Sequence, residues 1–529
     1  MGGAANPIIW ADVPDPSVIR VGDTYYMSST TMHMNPGVPI MKSRDLVNWE
    51  IVNYVYDVLG EKDEQTLTNG KNEYGKGSWA SSLRYHNSTY YVVFSSQTEG
   101  RTFVFKTLDI ENGPWEKHTL PFVHDMSLLF DDDGKVYLVY GSGDIRVKEL
   151  TADATAVLPK GLNQVIIPDS SAVAGPDIAL PAEGAHIHKI DGMYYIFLIT
   201  WPRGGMRTQL CYRAESITGP WEGRVVLQDG GVAQGGLVDT PDGKWYALLF
   251  GDRGAVGRIP YLVPVQWEAG WPVFGFDGRV PVELGVSCRQ EIKIVESDEF
   301  DDDRLGLVWQ WNHNPDDDNW SLTERPGYLR LRAGHISKDI TEARNLLTQR
   351  TFGPMCSADI AVEMVGMQSG DCAGLAVFQK NYGYVGVSVC GQERYVVMAD
   401  ASSGTCVEVE RIPVDQMRLY FKIACDFREQ RDLAYFFYGL NAEEWVPIGR
   451  PLKMLYTLPH FMGYRFALFC FAKQLTGGYA DFDYFRMTDS SSQVLGGVLV
   501  ERNAEICRRT GAADRRCGCL YSTGFWTCH

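Results

Sequence analysis

One pattern recurs five times in the first 290 residues: a short strand, a polar turn and a second strand rich in aromatic residues. The repeats start at Asp15, Ala80, Asp125, Glu183 and Gln234. Their turns are dipeptides that tolerate a positive φ angle and favour hairpins, namely Gly22-Asp23, Asn87-Ser88, Asp133-Gly134, Asp191-Gly192 and Asp242-Gly243. Each interval accommodates one four-stranded sheet, and five such sheets arranged radially form a five-bladed β-propeller. The sequence therefore predicts an all-β fold that begins with a propeller.

Three of the five repeats begin with a carboxylate, at Asp15, Asp125 and Glu183. In a propeller, equivalent positions on the innermost strands converge around one axis. These three side chains are then expected to meet, although they are far apart along the chain. A β-sandwich or a solenoid is the alternative architecture, but neither explains why a reactive residue stands at the same position of several repeats.

A group of three carboxylates is suited to splitting the acetal bond of a glycoside. An inverting glycosidase needs one carboxylate that activates water and one carboxylic acid that protonates the leaving oxygen, about 6.5–9.5 Å apart. A third carboxylate nearby, if ionised, raises the pKa of the acid so that it keeps its proton near neutral pH. The alternative is that these acids only cap turns or strand ends, and their matched positions favour catalysis.

The charge and hydropathy of the chain limit its partners. A formal net charge of −17 argues against nucleic acid or an anionic membrane surface and is compatible with a neutral polysaccharide. No stretch approaches the roughly 20 apolar residues of a membrane span. The start, MGGAANPIIW, has neither the basic nor the apolar region of a secretory signal. A soluble protein is expected, either cytoplasmic or exported with its signal removed, and its oligomeric state stays open.

Over about residues 6 to 285, the motifs resemble those of glycoside hydrolase family 43 in order and content. The resemblance rests on NPIIWADVPDPSVIRVGDTYYM, PGVPIMKSRDLVNWEIV, WASSLRYHNSTYYV, HDMSLLFDDDGKVYLVYG, EGAHIHKIDGMYYIF, GGLVDTPDGKWYALLF and GRIPYLVPVQWEAGWPVFG. It implies a five-bladed propeller, inversion of the anomeric configuration and exo-type release of small sugars.

The resemblance also assigns roles to the three carboxylates. Asp15, in PDPS, falls on the general base of the family, and Glu183, in AEGAH, falls on the general acid. Asp125, in HDMSLLF, falls on the carboxylate that tunes the pKa of the acid and contacts the sugar. Asp12 is a nearby competitor for the base, but it lies outside the Asp-Pro-Ser frame.

Three further residues fall on substrate-binding positions of the family. Arg258 matches an arginine that contacts the sugar, with a salt bridge as the simpler alternative, and Trp79 matches an aromatic wall, with blade packing as its alternative. Gln234 stands where relatives often have a histidine near a central metal or water, which leaves open a calcium ion near Gln234. Ser81 replaces the proline that is usual in the second blade.

Residues 296–489 contain regular short strands with alternating faces and no long helix, which predicts a β-sandwich. This part resembles the concanavalin-like sandwich that often follows such a propeller. The absence of a flexible linker favours packing against the propeller over an independent sugar-binding module. Acidic residues could join the sandwich termini through calcium or form a solvated edge, namely Asp298, Glu299, Asp481 and Asp483.

The sequence thus predicts a catalytic propeller over residues 1–290, a sandwich over 296–489 and a disordered or non-native tail over 490–529. The expected activity is inverting release of terminal β-1,4-xylosyl or α-L-arabinofuranosyl residues from xylan, arabinoxylan and their oligosaccharides. No cofactor is required for this chemistry, and calcium would be structural or orienting. The alternatives are an arabinan-directed arabinanase and a carbohydrate-binding propeller without catalysis.

Overall fold

The computed structural model describes residues 3–286 and 288–489. Strands dominate this part of the chain, and its one α-helix is the single turn Asp63–Thr66. Four short 3-10 turns occur at Ala172–Ala174, Gly254–Val256, Asp317–Asn319 and Arg428–Gln430. No helix within the described ranges is long and apolar enough to cross a membrane. The predicted tail, 490–529, lies outside the described residues.

Five antiparallel four-stranded sheets form the blades of a β-propeller. Blade 1 contains β1 (Ser17–Val21), β2 (Thr24–Ser28), β4 (Gly37–Ser43) and β5 (Glu50–Tyr56), with β3 (Met34–Asn35) outside the blade; blade 2 contains β6 (Ser78–His86), β7 (Thr89–Ser96), β8 (Arg101–Thr107) and β9 (Glu116–Pro121). Blade 3 contains β10 (Ser127–Phe130), β11 (Val136–Tyr140), β12 (Ile145–Leu150) and β13 (Asn163–Ile167); blade 4 contains β14 (Ile178–Ile190), β15 (Met193–Pro202), β16 (Thr208–Ala214) and β17 (Glu222–Leu227). Blade 5 contains β18 (Val232–Asp239), β19 (Trp245–Asp252), β20 (Arg258–Glu268) and β21 (Trp271–Phe274).

The polar dipeptides form hairpins between the first two strands of each blade. In blade 2, His86 pairs with Thr89, and both intervening residues have a positive φ angle, 48° at Asn87 and 61° at Ser88. This is the backbone twist that a two-residue hairpin requires. Local turn chemistry therefore fixes the start of each blade, as the repeat pattern predicts.

Neighbouring blades are joined by hydrogen bonds between their innermost strands. A serine hydroxyl on one blade accepts a backbone N–H from the next, at 3.0 Å in each case: Ser17 from Leu83, Ser82 from Leu128 and Ser127 from Ile187. The ring of blades closes through an ion pair between Arg20 of blade 1 and Asp239 of blade 5. These bonds hold the first strands of the repeats around a common axis.

Two packed antiparallel sheets follow the propeller and form a sandwich. One sheet contains, in spatial order, β3, β22 (Gln310–Asn312), β25 (Leu347–Arg350), β35 (Arg465–Ala472), β27 (Asp371–Phe378), β28 (Gly383–Cys390), β29 (Glu393–Asp400) and β30 (Val407–Val414). The other contains β23 (Trp320–Ser321), β24 (Leu329–Arg332), β36 (Tyr479–Thr488), β26 (Met355–Glu363), β31 (Arg418–Asp426), β32 (Leu433–Gly439), β33 (Val446–Pro447) and β34 (Leu452–Lys453), the last paired with β32.

The sandwich packs directly on the propeller. Strand β3 leaves blade 1 and pairs with β22, so that a segment of the propeller forms the edge of a sandwich sheet. A single hydrophobic cluster contains buried residues of both parts, including Val13 and Trp49 from the propeller and Phe352 and Tyr464 from the sandwich. The predicted fold class, a five-bladed propeller followed by a β-sandwich, is confirmed.

Candidate active site

Three of the five repeat starts have an unusual backbone conformation. Asp15, Asp125 and Gln234 have positive φ angles of 52°, 41° and 57°, and Glu183 is followed by Gly184 at 66°. The ladder between β14 and β15 shifts register on both sides of Glu183. Non-glycine residues enter this region only when the surrounding structure imposes it, and such strain concentrates at functional sites. The bends turn the reactive side chains out of the regular pleat, at equivalent points of four blades.

Asp15 is buried and held by two donors. Nη1 of Arg258 lies 2.8 Å from Oδ1 and 3.0 Å from Oδ2 of Asp15, and the Thr30 hydroxyl donates to Oδ2 at 2.6 Å. Charge-assisted bonds of this kind are short and fix the orientation of a carboxylate. The arrangement suits a group that accepts a proton from water.

Arg258 is itself almost completely buried, at 3% exposure. Its guanidinium lies over the Phe461 ring, 4.4 Å from the centroid, and 5.4 Å from that of Phe250. Among the described residues, Nε and Nη2 of Arg258 have no hydrogen-bond partner. Arg258 therefore forms the salt bridge that was its predicted alternative role, but this bridge uses only one nitrogen of the planar guanidinium group.

Asp12 has a different role from its neighbour three residues later. Its Oδ1 accepts the backbone N–H of Arg258 at 2.8 Å, and its Oδ2 accepts that of Gly463, in the sandwich, at 3.0 Å. Burial raises the pKa of Asp12, whereas the Arg258 charge and these two bonds lower it. Both oxygens are thus occupied, one within the propeller and one in joining it to the sandwich, and Asp15 is the better placed of the two to act as a base.

Glu183 and Asp125 are linked through a histidine that the sequence reasoning did not single out. His124 Nε2 lies 2.9 Å from Oε2 of Glu183 and 3.8 Å from Oδ2 of Asp125. The indole of Trp79 meets the His124 ring edge-on, with centroids 5.5 Å apart. Trp79 is fixed in turn by a 3.1 Å bond from Nε1 to the carbonyl of Gly75. The imidazole thereby orients the carboxyl group predicted to be the acid.

The two groups around Glu183 have strongly shifted proton affinities. Burial raises the pKa of Asp125 to about 7, helped by the negative charges of Glu183 and Asp15 and opposed by His124 and Arg258. Burial lowers the pKa of His124, but the bond to Glu183 and the charges of both carboxylates outweigh it and raise the pKa to about 9. Asp125 and His124 can therefore both hold a proton near neutral pH, and perturbed groups of this kind are typical of functional sites.

The walls of the site come from both domains. Met32 and Met34 of the propeller form a small buried cluster with Met462 of the sandwich, and Trp79 and Phe461 pack against it. The sandwich segment that contains Phe461, Met462 and Tyr464 therefore closes one side of the site. Trp79 fits both of the roles considered for it. Its ring contacts His124, as expected of an aromatic wall, and it packs against the methionines, as expected of a structural residue.

The surroundings of Gln234 do not fit a calcium ion. The Gln234 side chain fills the space beside Gly184, where an added Cβ would lie 2.7 Å from the amide. Among the inner strands of the neighbouring blades, the Arg84 guanidinium donates to the carbonyls of Leu128, at 2.7 Å, and Ile187, at 3.0 Å. Calcium prefers several oxygen ligands, and the Arg84 guanidinium takes two of the carbonyl oxygens that the inner strands offer. The expectation of calcium near Gln234 is therefore not supported.

The sandwich acids likewise have protein partners. Asp298 accepts the backbone N–H of Phe300 and the indole N–H of Trp309, both at 2.8 Å, and Asp483 pairs with Arg418. These contacts occupy the oxygens that a calcium ion would need. In the described part of the chain, the one group of three close metal-ligand residues is His124, Asp125 and Glu183, which already belongs to the candidate active site.

Three residues of the site were not predicted, and they differ in how clearly the sequence indicates them. His124 directly precedes Asp125 within the motif HDMSLLF, so its proximity had a sequence signal. Thr30 lies two residues after β2 and has no distinguishing pattern around it. Phe461 belongs to the sandwich, and nothing in its sequence context indicates that it covers Arg258.

Comparison with known proteins agrees with this architecture. The family model described as "Glycosyl hydrolases family 43" matches residues 4–272. The one described as "Beta xylosidase C-terminal Concanavalin A-like domain" matches residues 297–488. The two matches cover the propeller and the sandwich in the observed order.

Individual relatives match over most of the chain. A "Beta-xylosidase" of Formosa agariphila is 30% identical, over 92% of this chain and 90% of its own length. A "Non-reducing end alpha-L-arabinofuranosidase BoGH43B" of Bacteroides ovatus is also 30% identical, over 70% of this chain and 73% of its own. A solved "Bifunctional GH43-CE" structure from Bacteroides eggerthii is 54% identical, with a TM-score of 0.91 over 92% of this chain. The present chain spans 64% of the length of that protein.

Proposed function

Because the chain belongs to glycosyl hydrolase family 43, we propose that it is an inverting, exo-acting glycosidase that releases terminal β-1,4-xylosyl and α-L-arabinofuranosyl residues from xylan and arabinoxylan. Membership of the family and the glycoside hydrolase class, both predicted from the motifs, are confirmed. The exo mode, the inversion of the anomeric configuration and the choice of sugar are proposals.

Each carboxylate has a proposed role that follows from its surroundings. Asp15, held by Arg258 and Thr30, activates the attacking water. Glu183, oriented by His124, protonates the leaving oxygen. Asp125, buried beside His124, contacts the sugar and holds the imidazole that orients the acid. The proposed reaction needs only these groups and water.

The observation that carries the proposal is the different environment of the two outer carboxylates. Asp15 faces a permanent cation through two short contacts, whereas Glu183 shares a proton-bearing partner, His124, with a second carboxyl group. Asp15 is bonded to a guanidinium that does not exchange its proton, whereas Glu183 is bonded to an imidazole that can, and this difference favours Asp15 as the base and Glu183 as the acid.

Relatives support the substrate class and the exo mode. One matched protein is described as a β-xylosidase and another as an α-L-arabinofuranosidase that acts at non-reducing ends. Trp79 contacts His124 and Phe461 covers Arg258, so that both domains supply walls to the site, and a walled site favours release of single sugars. Arg258 has two nitrogens available to sugar hydroxyls after pairing with Asp15.

A paired assay tests the substrate and the stereochemistry. We expect hydrolysis of p-nitrophenyl β-D-xylopyranoside and p-nitrophenyl α-L-arabinofuranoside, and proton NMR of the first minutes of xylobiose hydrolysis should show the α anomer as the initial product. Initial formation of the β anomer would contradict inversion. Oligosaccharide products from linear arabinan, without activity on either aryl glycoside, would favour the arabinanase alternative.

The acid and the base are distinguished by the leaving group. Glu183→Gln should reduce kcat on xylobiose by about 10³-fold but affect 2,4-dinitrophenyl β-D-xyloside far less, because that leaving group needs little protonation. Asp15→Asn should reduce both rates alike. Asp133→Asn, at an exposed turn in the same family motif as Asp125, is the matched control. Equal losses on both substrates in Glu183→Gln would refute the assignment of the acid.

A further inference from the structure

A cleft of about 900 Å³ lies between the propeller and the sandwich, outside the candidate active site. Residues 67–72 and 74–76 form its propeller wall, and the sandwich wall includes residues 335–336, 341–342 and 458–460. Ligand sites in proteins typically enclose about 300–1,000 Å³ and often lie between domains. The cleft is therefore large enough for a few linked sugar units.

The cleft and the active site share both of their walls. Gly75, in the cleft wall, accepts the indole N–H of Trp79, and His460 directly precedes Phe461, which covers Arg258. A Cβ added to Gly75 would lie only 2.8 Å from the carbonyl oxygen of Pro459, so the two walls touch at this point. The cleft is thus a separate space whose walls continue into Trp79 and Phe461 of the candidate active site.

The charge of the cleft is opposite to that of the chain as a whole. Lys71, Lys76 and Lys380 line it together with one carboxylate, Glu342, whereas the chain has a formal net charge of −17. Lys71 is paired with Asp63. Within residues 3–286 and 288–489, neither Lys76 nor Lys380 has an ion-pair partner. Two unpaired ammonium groups in an acidic protein favour an anionic ligand.

The remaining lining residues suit a carbohydrate. Amide side chains at Asn69, Asn72 and Gln97 can bond hydroxyl groups. Leu458 and Ile336 are 70% and 62% exposed and offer apolar contacts to the C–H faces of sugar rings.

One of the residues that line the cleft carries a buried and unsatisfied group. Tyr74 and His460 line it and stack with centroids 4.9 Å apart. His460 is 3% exposed, and its Nε2 has no partner among the described residues. An unpaired buried nitrogen is costly unless water or a ligand satisfies it.

We propose that this cleft binds a carboxylated section of the glycan, an oligosaccharide that carries uronic acid groups. The lysines bind the carboxylate, and the amides and apolar side chains bind the neutral sugars around it. The inference rests on the proposed function in one respect, because it takes the ligand to be part of the same polysaccharide whose terminal residues the neighbouring site removes. Such a site would hold an acidic substituted chain beside the catalytic carboxylates.

Calorimetric titration of a Glu183→Gln variant tests the proposal, because this variant keeps the ligand intact. The probes are xylotriose carrying one 4-O-methylglucuronic acid and unsubstituted xylotetraose. We expect the acidic probe to bind at least 10-fold more tightly, and the preference to disappear in a variant that also carries Lys76→Gln and Lys380→Gln. Lys244→Gln, an exposed lysine paired with Asp242 in blade 5, is the control for loss of positive charge.

Hydrolysis of aryl glycosides separates this proposal from the proposed function. Lys76→Gln with Lys380→Gln, in the otherwise unchanged chain, should leave the rate on the small aryl substrate within 2-fold, because both residues lie outside the active site. Equal affinity for the two probes, or a preference that survives both lysine substitutions, would overturn the proposal. Failure of all hydrolysis with an intact lysine-dependent preference would refute the proposed activity and leave the binding site standing.

Discussion

Replacing Asp125 by asparagine should make the protein more stable and less active, because its carboxylate is buried at a cost. Burial and the neighbouring negative charges raise its pKa from 3.8 to about 7 in the folded protein. One pKa unit corresponds to about 1.4 kcal/mol, so the shift amounts to ~4 kcal/mol between the two protonation states. Partial relaxation of the site and coupling to His124 reduce this figure, and we expect about 2–4 kcal/mol in the measured free energy of unfolding.

The sign of the effect determines its pH dependence. A folded pKa above the unfolded one means that the stability contribution is complete below about pH 4 and is lost as the pH rises to about 7. Asparagine has no such titration. The difference in unfolding free energy, Asp125→Asn minus wild type, should therefore grow between pH 4.5 and 7. If the propeller unfolds as one unit of roughly 285 residues, ~3 kcal/mol corresponds to about 5 °C in Tm.

Thermal unfolding followed by intrinsic fluorescence across this pH range provides the measurement. Asp133→Asn is the matched control, because its side chain is 54% exposed and should shift Tm by no more than about 1 °C at any pH. The same Asp125→Asn protein should lose at least about 10²-fold in kcat on xylobiose. Parallel pH–Tm curves for the variant and the wild type would refute the reasoning that burial raises the pKa of Asp125 in the folded state.

Three other predictions concern the remaining parts of the site. Thr30→Val removes the 2.6 Å bond to Asp15 and should lower kcat/KM on p-nitrophenyl β-D-xyloside by about 10-fold, and a wild-type value would contradict a role for that hydroxyl. Phe461→Ala removes the ring 4.4 Å from the Arg258 guanidinium and should raise KM by about 5- to 30-fold, whereas Phe461→Tyr should restore it. Because the residues around Gln234 do not fit calcium, dialysis against EDTA should leave kcat and Tm unchanged, and a loss restored by added calcium would show that a cation site exists.

The sequence alone determined the blades and their order. Each repeat has a turn dipeptide that tolerates a positive φ angle and alternating strands on both sides, and these are local properties of the chain. Because equivalent positions of a propeller face one axis, the same repeat also placed Asp15, Asp125 and Glu183 together. Family motifs then indicated Arg258 and Trp79, and the structure brings both of these residues to the carboxylates.

Only the tertiary structure decided what surrounds those carboxylates. The bond between Asp12 and Gly463 joins residues 451 positions apart, and the cover of Arg258 by Phe461 depends on how the sandwich docks. Arg84 bonds the inner strands of two other blades, yet the sequence of its own strand resembles that of any other hairpin strand of the propeller. Contacts of this kind have no local signature, because they depend on the packing of two domains. Periodicity in a sequence specifies elements and their repetition, whereas pKa values and pocket walls depend on which distant groups the completed fold brings within a few ångströms.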